Sequence, residues 1–88
     1  MQTSFLYVIA PSLDGPVKLG ISDNPERRLR QLQTGHAKRL YLFHLASVPQ
    51  DKARLYESLL HRDIGHLRSY GEWFSLSVEH AIAHVHVH

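Results

Sequence analysis

The fold is set by one stretch near the start of the chain, residues 5–29, which reads FLYVIAPSLDGPVKLGISDNPERRL. Residues 5–9 are apolar on both faces of a strand, which predicts a central strand. A turn-forming segment ending in Asp14-Gly15-Pro16 follows. Residues 17–22 then alternate between apolar and polar or small side chains, which predicts a second strand. Ser22, Asp23 or Asn24 can cap the basic helix that starts near Pro25.

Three polar side chains of this stretch are predicted to meet on one surface. Tyr7 lies in the first strand, Lys18 in the second and Arg28 on the helix. A phenol, an ammonium and a guanidinium together suit the handling of a phosphodiester, because cations neutralise phosphoryl oxygens. Gly20 has no side chain, and a glycine inside a strand often marks a close approach of ligand or backbone. Taken singly, the three also match a core-edge tyrosine, a solvent-facing strand lysine and a surface arginine.

The rest of the chain completes one small domain. A third strand is expected from about Arg39 to Val48 and a second helix from Asp51 to about Gly65, and Ser75 or Ser77 can cap a last helix that runs through His88. A chain of 88 residues forms one domain. We therefore predict a small α/β (α+β) domain over residues 1–88, with a three-stranded, mainly antiparallel sheet flanked by helices, a core of about 4–76 and a C-terminal helix or His-rich tail at 77–88.

The composition excludes several classes of protein. A hydrophobic fraction of 43% with 20% charged residues indicates a folded globule rather than a disordered chain. The chain has no cysteine, which excludes disulfides and thiolate metal sites and fits a reducing cytoplasm. The sequence contains neither a long apolar run nor a signal-peptide pattern. We therefore expect a cytoplasmic protein with no membrane partner.

The basic residues are clustered rather than spread evenly. The net charge is only +2, but residues 27–39 contain five arginines and lysines. Such a run is commonly a solvated helix face, and the alternative is a surface that contacts nucleic-acid phosphates. Arg68, further along the chain, either contacts phosphate or pairs with Glu72. The candidate DNA-binding residues are Arg27, Lys38, Arg39 and Arg68.

The second predicted helix carries two polar groups at the edge of its apolar stripe. Glu57 and His61 are one helical turn apart, so they lie on the same side. A carboxylate at the edge of a buried stripe is both partly desolvated and reachable. Taken alone, the two residues also match an ordinary surface pair. The stripe consists of Leu55, Tyr56, Leu59, Leu60 and Ile64.

Two features of the last quarter of the chain each have two interpretations. Trp73 and Phe74 are expected to close the core, and base stacking is the alternative. His80, His84 and His88 would share one helix face and could bind Zn²⁺ or Ni²⁺. A solvated tail is the other interpretation of these histidines, since chain ends fray readily.

These motifs resemble the GIY-YIG nuclease superfamily. The first signature triplet corresponds to Phe5-Leu6-Tyr7, in which the tyrosine is kept. The second corresponds to Lys18-Leu19-Gly20, in which the glycine is kept and lysine replaces tyrosine. The superfamily's helix arginine falls on Arg28, and its metal-binding glutamate falls on Glu57.

A closer resemblance is to the phage-type DNA-binding branch, which is related to the meiotically up-regulated gene family. In that branch the lysine of the second triplet is normal. The superfamily often carries an asparagine late in the domain, whereas here no asparagine follows Asn24, and Glu72 lies in that general region. The segments that carry the closer resemblance are 18–22, 25–35, 57–61 and 71–74.

The resemblance implies a GIY-YIG-like fold and a metal-dependent DNA endonuclease that hydrolyses phosphodiester bonds. Glu57 would hold one divalent cation, Mg²⁺ or Mn²⁺. Tyr7 would orient or deprotonate water, with help from nearby charge because its ordinary pKa is about 10. Arg28 would clamp the phosphate, and Lys18 would add positive charge or assist proton transfer. His61 would take a proton or hold Glu57 in place.

Two other functions are compatible with the same residues. One is a non-catalytic DNA-binding module with the same fold, and the other is a protein-interaction domain with a vestigial site. DNA is the expected partner of both the endonuclease and the DNA-binding module. A homodimer or a second protein would supply sequence specificity, because nucleases of this fold often take it from an attached domain.

Overall fold

The computed structural model describes residues 3–87, with side chains through residue 85. It is an α+β domain built on one antiparallel sheet. The elements are β1 (Thr3–Ala10), β2 (Val17–Ser22), α1 (Pro25–Gln33), β3 (Tyr41–Pro49), α2 (Ala53–Asp63), β4 (Arg68–Tyr70), β5 (Trp73–Phe74) and α3 (Val78–Val87).

The described sheet has five strands in the order β3-β1-β2-β5-β4. The predicted central position of β1 is confirmed, and so is the antiparallel pairing. The prediction of three strands is wrong, because Trp73 and Phe74 pair with Lys18 and Val17 and thereby extend the sheet beyond β2. A strand of two residues is too short to show an alternating pattern, so only its pairing reveals it.

The register of β1 and β2 decides which side chains share a face. Tyr7 lies opposite Gly20, and Ile9 lies opposite Lys18. Directly opposed residues of an antiparallel pair point to the same face. Tyr7, Lys18 and Gly20 therefore share one face of the sheet, and α1 packs over this face through Leu29 and Leu32.

The other face of the sheet carries the larger core, which α2 and α3 cover. The last helix belongs to this core, because Val78, Ala81 and Val85 are buried in it. The predicted three-histidine face stays a prediction, since His88 lies outside the described residues. The buried members from the sheet and α2 are Leu6, Val8, Ala10, Val17, Leu19, Val48, Ala53, Leu60, Ile64 and Phe74.

Helix α1 starts where the capping pattern places it. The side-chain Oδ1 of Asn24 accepts a hydrogen bond from the Arg27 backbone N–H at 3.1 Å, and Pro25 occupies the first turn. The Asn24 backbone N–H in turn donates to Ser22 Oγ at 2.9 Å, which ties the end of β2 to the helix. This short connection aims Arg28 back toward the sheet.

Candidate active site at the open edge of the second strand

The candidate site lies where strand β2 outruns its neighbour β5. The Leu19 N–H donates to the carbonyl of Glu72 at 3.4 Å, just before β5 begins. Beyond this point, side chains of α2 take the place of a paired strand. The Ile21 N–H donates to Glu57 Oε2 at 3.1 Å, and the Leu19 carbonyl accepts from His61 Nε2 at 2.8 Å. The helical spacing of Glu57 and His61 thus matches the spacing of alternate backbone groups on one strand edge.

The hydrogen bond of His61 sets the state of its ring. A carbonyl oxygen only accepts hydrogen bonds, so Nε2 must carry a proton. Nδ1 then holds the lone pair whenever the ring is neutral. A backbone carbonyl that orients an imidazole in this way is common behind metal-binding or proton-accepting histidines.

The phenol of Tyr7 reaches the site by crossing Gly20. A Cβ placed on Gly20 would lie 2.7 Å from Tyr7 Cζ and 3.2 Å from Glu72 Oε2, so a side chain there would overlap the ring. The ring itself is only 2% exposed. Its Oη accepts a hydrogen bond from Arg28 Nε at a long 3.5 Å. The absence of a side chain at Gly20 therefore brings the phenol and the guanidinium together.

A cleft of about 360 Å³ joins these groups. The predicted residues Tyr7, Arg28 and Glu57 all line it. Lys18 lies on the same sheet face but is not among the lining residues, and its ammonium instead lies 5.5 Å from the centre of the Trp73 ring. The full set of lining residues is Tyr7, Ile21, Arg28, Arg54, Glu57 and Glu72.

The interpretation of Lys18 as a solvent-facing lysine is wrong. The residue is only 7% exposed, because β5 places Trp73 beside it. Burial lowers the pKa of the ammonium, and the charge of Arg28 lowers it further, while the carboxylates of Glu72 and Glu57 oppose this shift. A buried cation thus lies within electrostatic range of Arg28, Glu57 and Glu72.

Three half-buried groups form a cluster with metal-ligand chemistry. One donor atom each from Glu57, His61 and Glu72 can be chosen so that all lie within 4.8 Å of one another. Two carboxylates suit a hard divalent cation, and an imidazole adds a nitrogen donor. The residues therefore fit a divalent ion, with Glu57 at the position where the sequence predicts a metal ligand.

The charges in the cluster favour binding of a cation. Burial raises the pKa of Glu57, and the negative charge of Glu72 raises it further. His61, the Ile21 N–H and Arg54 oppose this rise. A divalent cation between the two carboxylates would remove their mutual repulsion.

The phenol of Tyr7 is not arranged to act as a general base. Burial raises the pKa of Tyr7 above its ordinary value, although the hydrogen bond and charge of Arg28 act in the opposite direction. Tyr7 is therefore neutral at neutral pH. Because Arg28 donates to its oxygen, the phenol keeps its own proton for a second partner in the cleft.

The four predicted DNA-binding residues lie outside this cleft. Arg27 is exposed on α1. Lys38 and Arg39 line a separate groove of about 520 Å³ together with Arg30, which makes that groove basic. Arg68 donates to the Gly71 carbonyl at 3.0 Å and lies 5.3 Å from the centre of the Phe74 ring.

Sequence reasoning did not assign a role to two residues of the site. Glu72 supplies the second carboxylate of the cluster, and Arg54 adds a cation to the cleft wall. The only available signal for Glu72 is its place in the Gly71–Phe74 motif, in the region where the superfamily carries an asparagine. Arg54 has no such signal, because it resembles any exposed helix arginine.

The fold and the cleft describe a small α+β domain with acidic and basic groups facing one another across a strand edge. A family model, the T5orf172 domain, matches residues 4–87. The chain therefore belongs to the T5orf172 domain family. Comparisons with curated proteins and with solved structures give no match. None of the helices in residues 3–87 has the length and hydropathy needed to cross a membrane.

Proposed function

We propose that this protein is a metal-dependent DNA endonuclease of the GIY-YIG type. The observation that carries the proposal is the cleft in which Tyr7 and Arg28 face the cluster of Glu57, His61 and Glu72. Phosphodiester hydrolysis needs cationic groups for the phosphate and a site for an activating ion. Membership of the T5orf172 domain family, which occurs in phage and nuclease-associated proteins, supports the same direction.

The acidic side of the cleft would hold the ion. Glu57 is the principal ligand in this proposal, and Glu72 and His61 Nδ1 complete the donor set. A bound divalent cation would supply Lewis-acid stabilisation of the phosphate. Carboxylates suit Mg²⁺ or Mn²⁺, and direct ligation by His61 would favour Mn²⁺.

The basic side of the cleft would position the phosphate. Arg28 donates from Nε to Tyr7 and from Nη1 to Gln31 Oε1 at 3.5 Å, which leaves Nη2 and the second N–H of Nη1 for phosphate oxygens. Tyr7, held neutral by burial, would donate a hydrogen bond to an oxygen in the cleft and so orient the water or the phosphate. His61 Nδ1 can accept a proton if it is not bound to the ion. Lys18 would add positive charge near the site.

Incubation with supercoiled plasmid tests the proposal. The plasmid is treated with the protein in Mg²⁺, in Mn²⁺ and in EDTA, and conversion to nicked and linear forms is followed on a gel. Glu57→Gln serves as the matched variant, because its amide oxygen can still accept from the Ile21 N–H. Cleavage that requires the ion and Glu57 supports the proposal. Cleavage at the same rate in the Glu57→Gln protein would overturn it.

A second function is a DNA-binding module with the same fold and no cleavage. The basic groove of Arg30, Lys38 and Arg39 favours it, because this groove lies outside the acidic cluster. Salt-sensitive retardation of DNA without nicking would point to this function. In either case a second copy or another protein would supply sequence specificity.

A further inference from the structure

A second cavity, of about 420 Å³, is chemically unlike the cleft. Glu72 lines the cleft and Trp73, the next residue, lines this cavity. The other aromatic walls are Tyr70 and His36, and the described lining residues include no acidic side chain. A flat, apolar group suits such a space better than a metal ion or a second phosphate.

The rings that line this cavity differ in exposure, and Tyr70 is the one open to a stacking partner. Tyr70 is 79% exposed, the highest value among the exposed large hydrophobic residues. Trp73 is half-buried, and its ring centre lies 5.5 Å from that of His36 with the planes tilted by 34°. Of the predicted aromatic pair, Phe74 is fully buried in the core, and Trp73 packs against the smaller core cluster of Tyr7, Ile9 and Leu40 while part of it lines this cavity. Exposed rings of this kind provide platforms for nucleobases in proteins that bind single strands.

The charges around the cavity match a nucleotide rather than a neutral aromatic ligand. Lys38 lines both this cavity and the basic groove, so one cation borders the two spaces. Lys18 lies 5.5 Å from the centre of the Trp73 ring. A base in the cavity would thus have the Lys38 ammonium close to the neighbouring backbone phosphates.

We infer that the cavity receives an unstacked base of the DNA strand whose phosphate lies in the cleft. This inference rests on the proposed function, because it takes the neighbouring cleft to be the phosphate site. The substrate would then be single-stranded DNA, or a duplex with an unpaired base beside the cut. An intact duplex keeps its bases stacked, so it can fill the cavity only at the free-energy cost of unstacking and unpairing one base.

The sole tryptophan of the chain makes the test direct. Tryptophan emission is followed in EDTA, so that no cleavage occurs, while three DNAs of equal length are titrated: a single strand, a perfect duplex and a duplex with one unpaired thymidine. The single strand and the interrupted duplex should quench Trp73 and bind more tightly than the perfect duplex. Tyr70→Ala should weaken their binding by about 5- to 150-fold. Tyr70→Phe keeps the ring and should restore most of that loss.

A matched control separates stacking from a general loss of apolar surface. Leu55 is 55% exposed on α2, which makes the prediction of its burial wrong, and it lines none of the cavities described above. Leu55→Ala should bind every DNA as the parent does. Equal binding of all three DNAs, unaffected by Tyr70→Ala, would overturn the inference while leaving the proposed DNA function in place. No binding of any DNA would overturn both the inference and the proposed function.

Discussion

Gly20→Ala is the substitution that examines the site most sharply. The added methyl group would lie 2.7 Å from Tyr7 Cζ and closer still to the phenol oxygen. Tyr7 has little room to retreat, because its ring is 2% exposed and packs with Ile9 and Leu40. The phenol should therefore move away from Arg28, and both stability and cleavage should fall.

The size of the effect follows from two opposing contributions. Forcing an extra methyl group into a packed interior typically costs about 1–3 kcal/mol. Replacing glycine by alanine at an ordinary backbone conformation stabilises the folded protein by about 0.4–1 kcal/mol, because alanine lowers the conformational entropy of the unfolded chain. The net loss of unfolding free energy should be about 0–2.5 kcal/mol. For a domain of this size each kcal/mol corresponds to about 4–8 °C in melting temperature.

Gly65→Ala provides the matched control. A Cβ on Gly65 meets no atom within 4 Å, so this variant should gain only the unfolded-state contribution. Thermal unfolding followed by circular dichroism should place Gly20→Ala about 1–3 kcal/mol below Gly65→Ala. Adding Tyr7→Phe to Gly20→Ala removes the overlapping oxygen and should recover part of this difference. Equal stability and equal plasmid nicking by the two alanine variants would refute the reasoning.

Three further predictions concern the charged groups of the site. Arg28→Ala should reduce nicking by about 10²–10³-fold, because it removes the phosphate donors, while the unfolding free energy moves by about 0.5 kcal/mol or less; plasmid and melting assays on the same preparation check both. Glu57→Gln should weaken Mn²⁺ binding, measured by calorimetry, by about 100-fold or more, with DNA affinity unchanged or higher, and parent-like Mn²⁺ affinity would remove Glu57 from the ligand set. Burial lowers the pKa of Lys18 in the folded protein below its unfolded value, so the folded state carries a penalty at neutral pH that disappears as pH rises through the folded pKa toward the unfolded one. Lys18→Met should therefore raise stability at pH 7 and lose this advantage as pH rises toward the unfolded lysine pKa of about 10.4, as followed by urea unfolding at neutral and alkaline pH, while nicking falls because the positive charge is gone.

The local features of the fold can be predicted from the sequence. Alternation of apolar residues predicts β1 and β2, and the cap before Pro25 predicts α1, because strand periodicity and helix capping involve residues close in the chain. The same locality explains the helical spacing of Glu57 and His61. The proximity of Tyr7 and Arg28 was also predictable, since a tight loop and a short connection leave few ways to arrange two strands and a helix.

The remainder of the site depends on contacts between distant segments. Strand β5 is too short to predict, yet its pairing with β2 buries Lys18 under Trp73 and brings Glu72 beside Gly20. The same pairing ends at Trp73 and leaves a strand edge that Glu57 and His61 complete. The sequence by itself determines which residues can form the strands, the helices and their caps, because those preferences are local. Only the tertiary structure decides the burial of Lys18, the second carboxylate of the cluster and the aromatic cavity, because these depend on non-local pairing and packing.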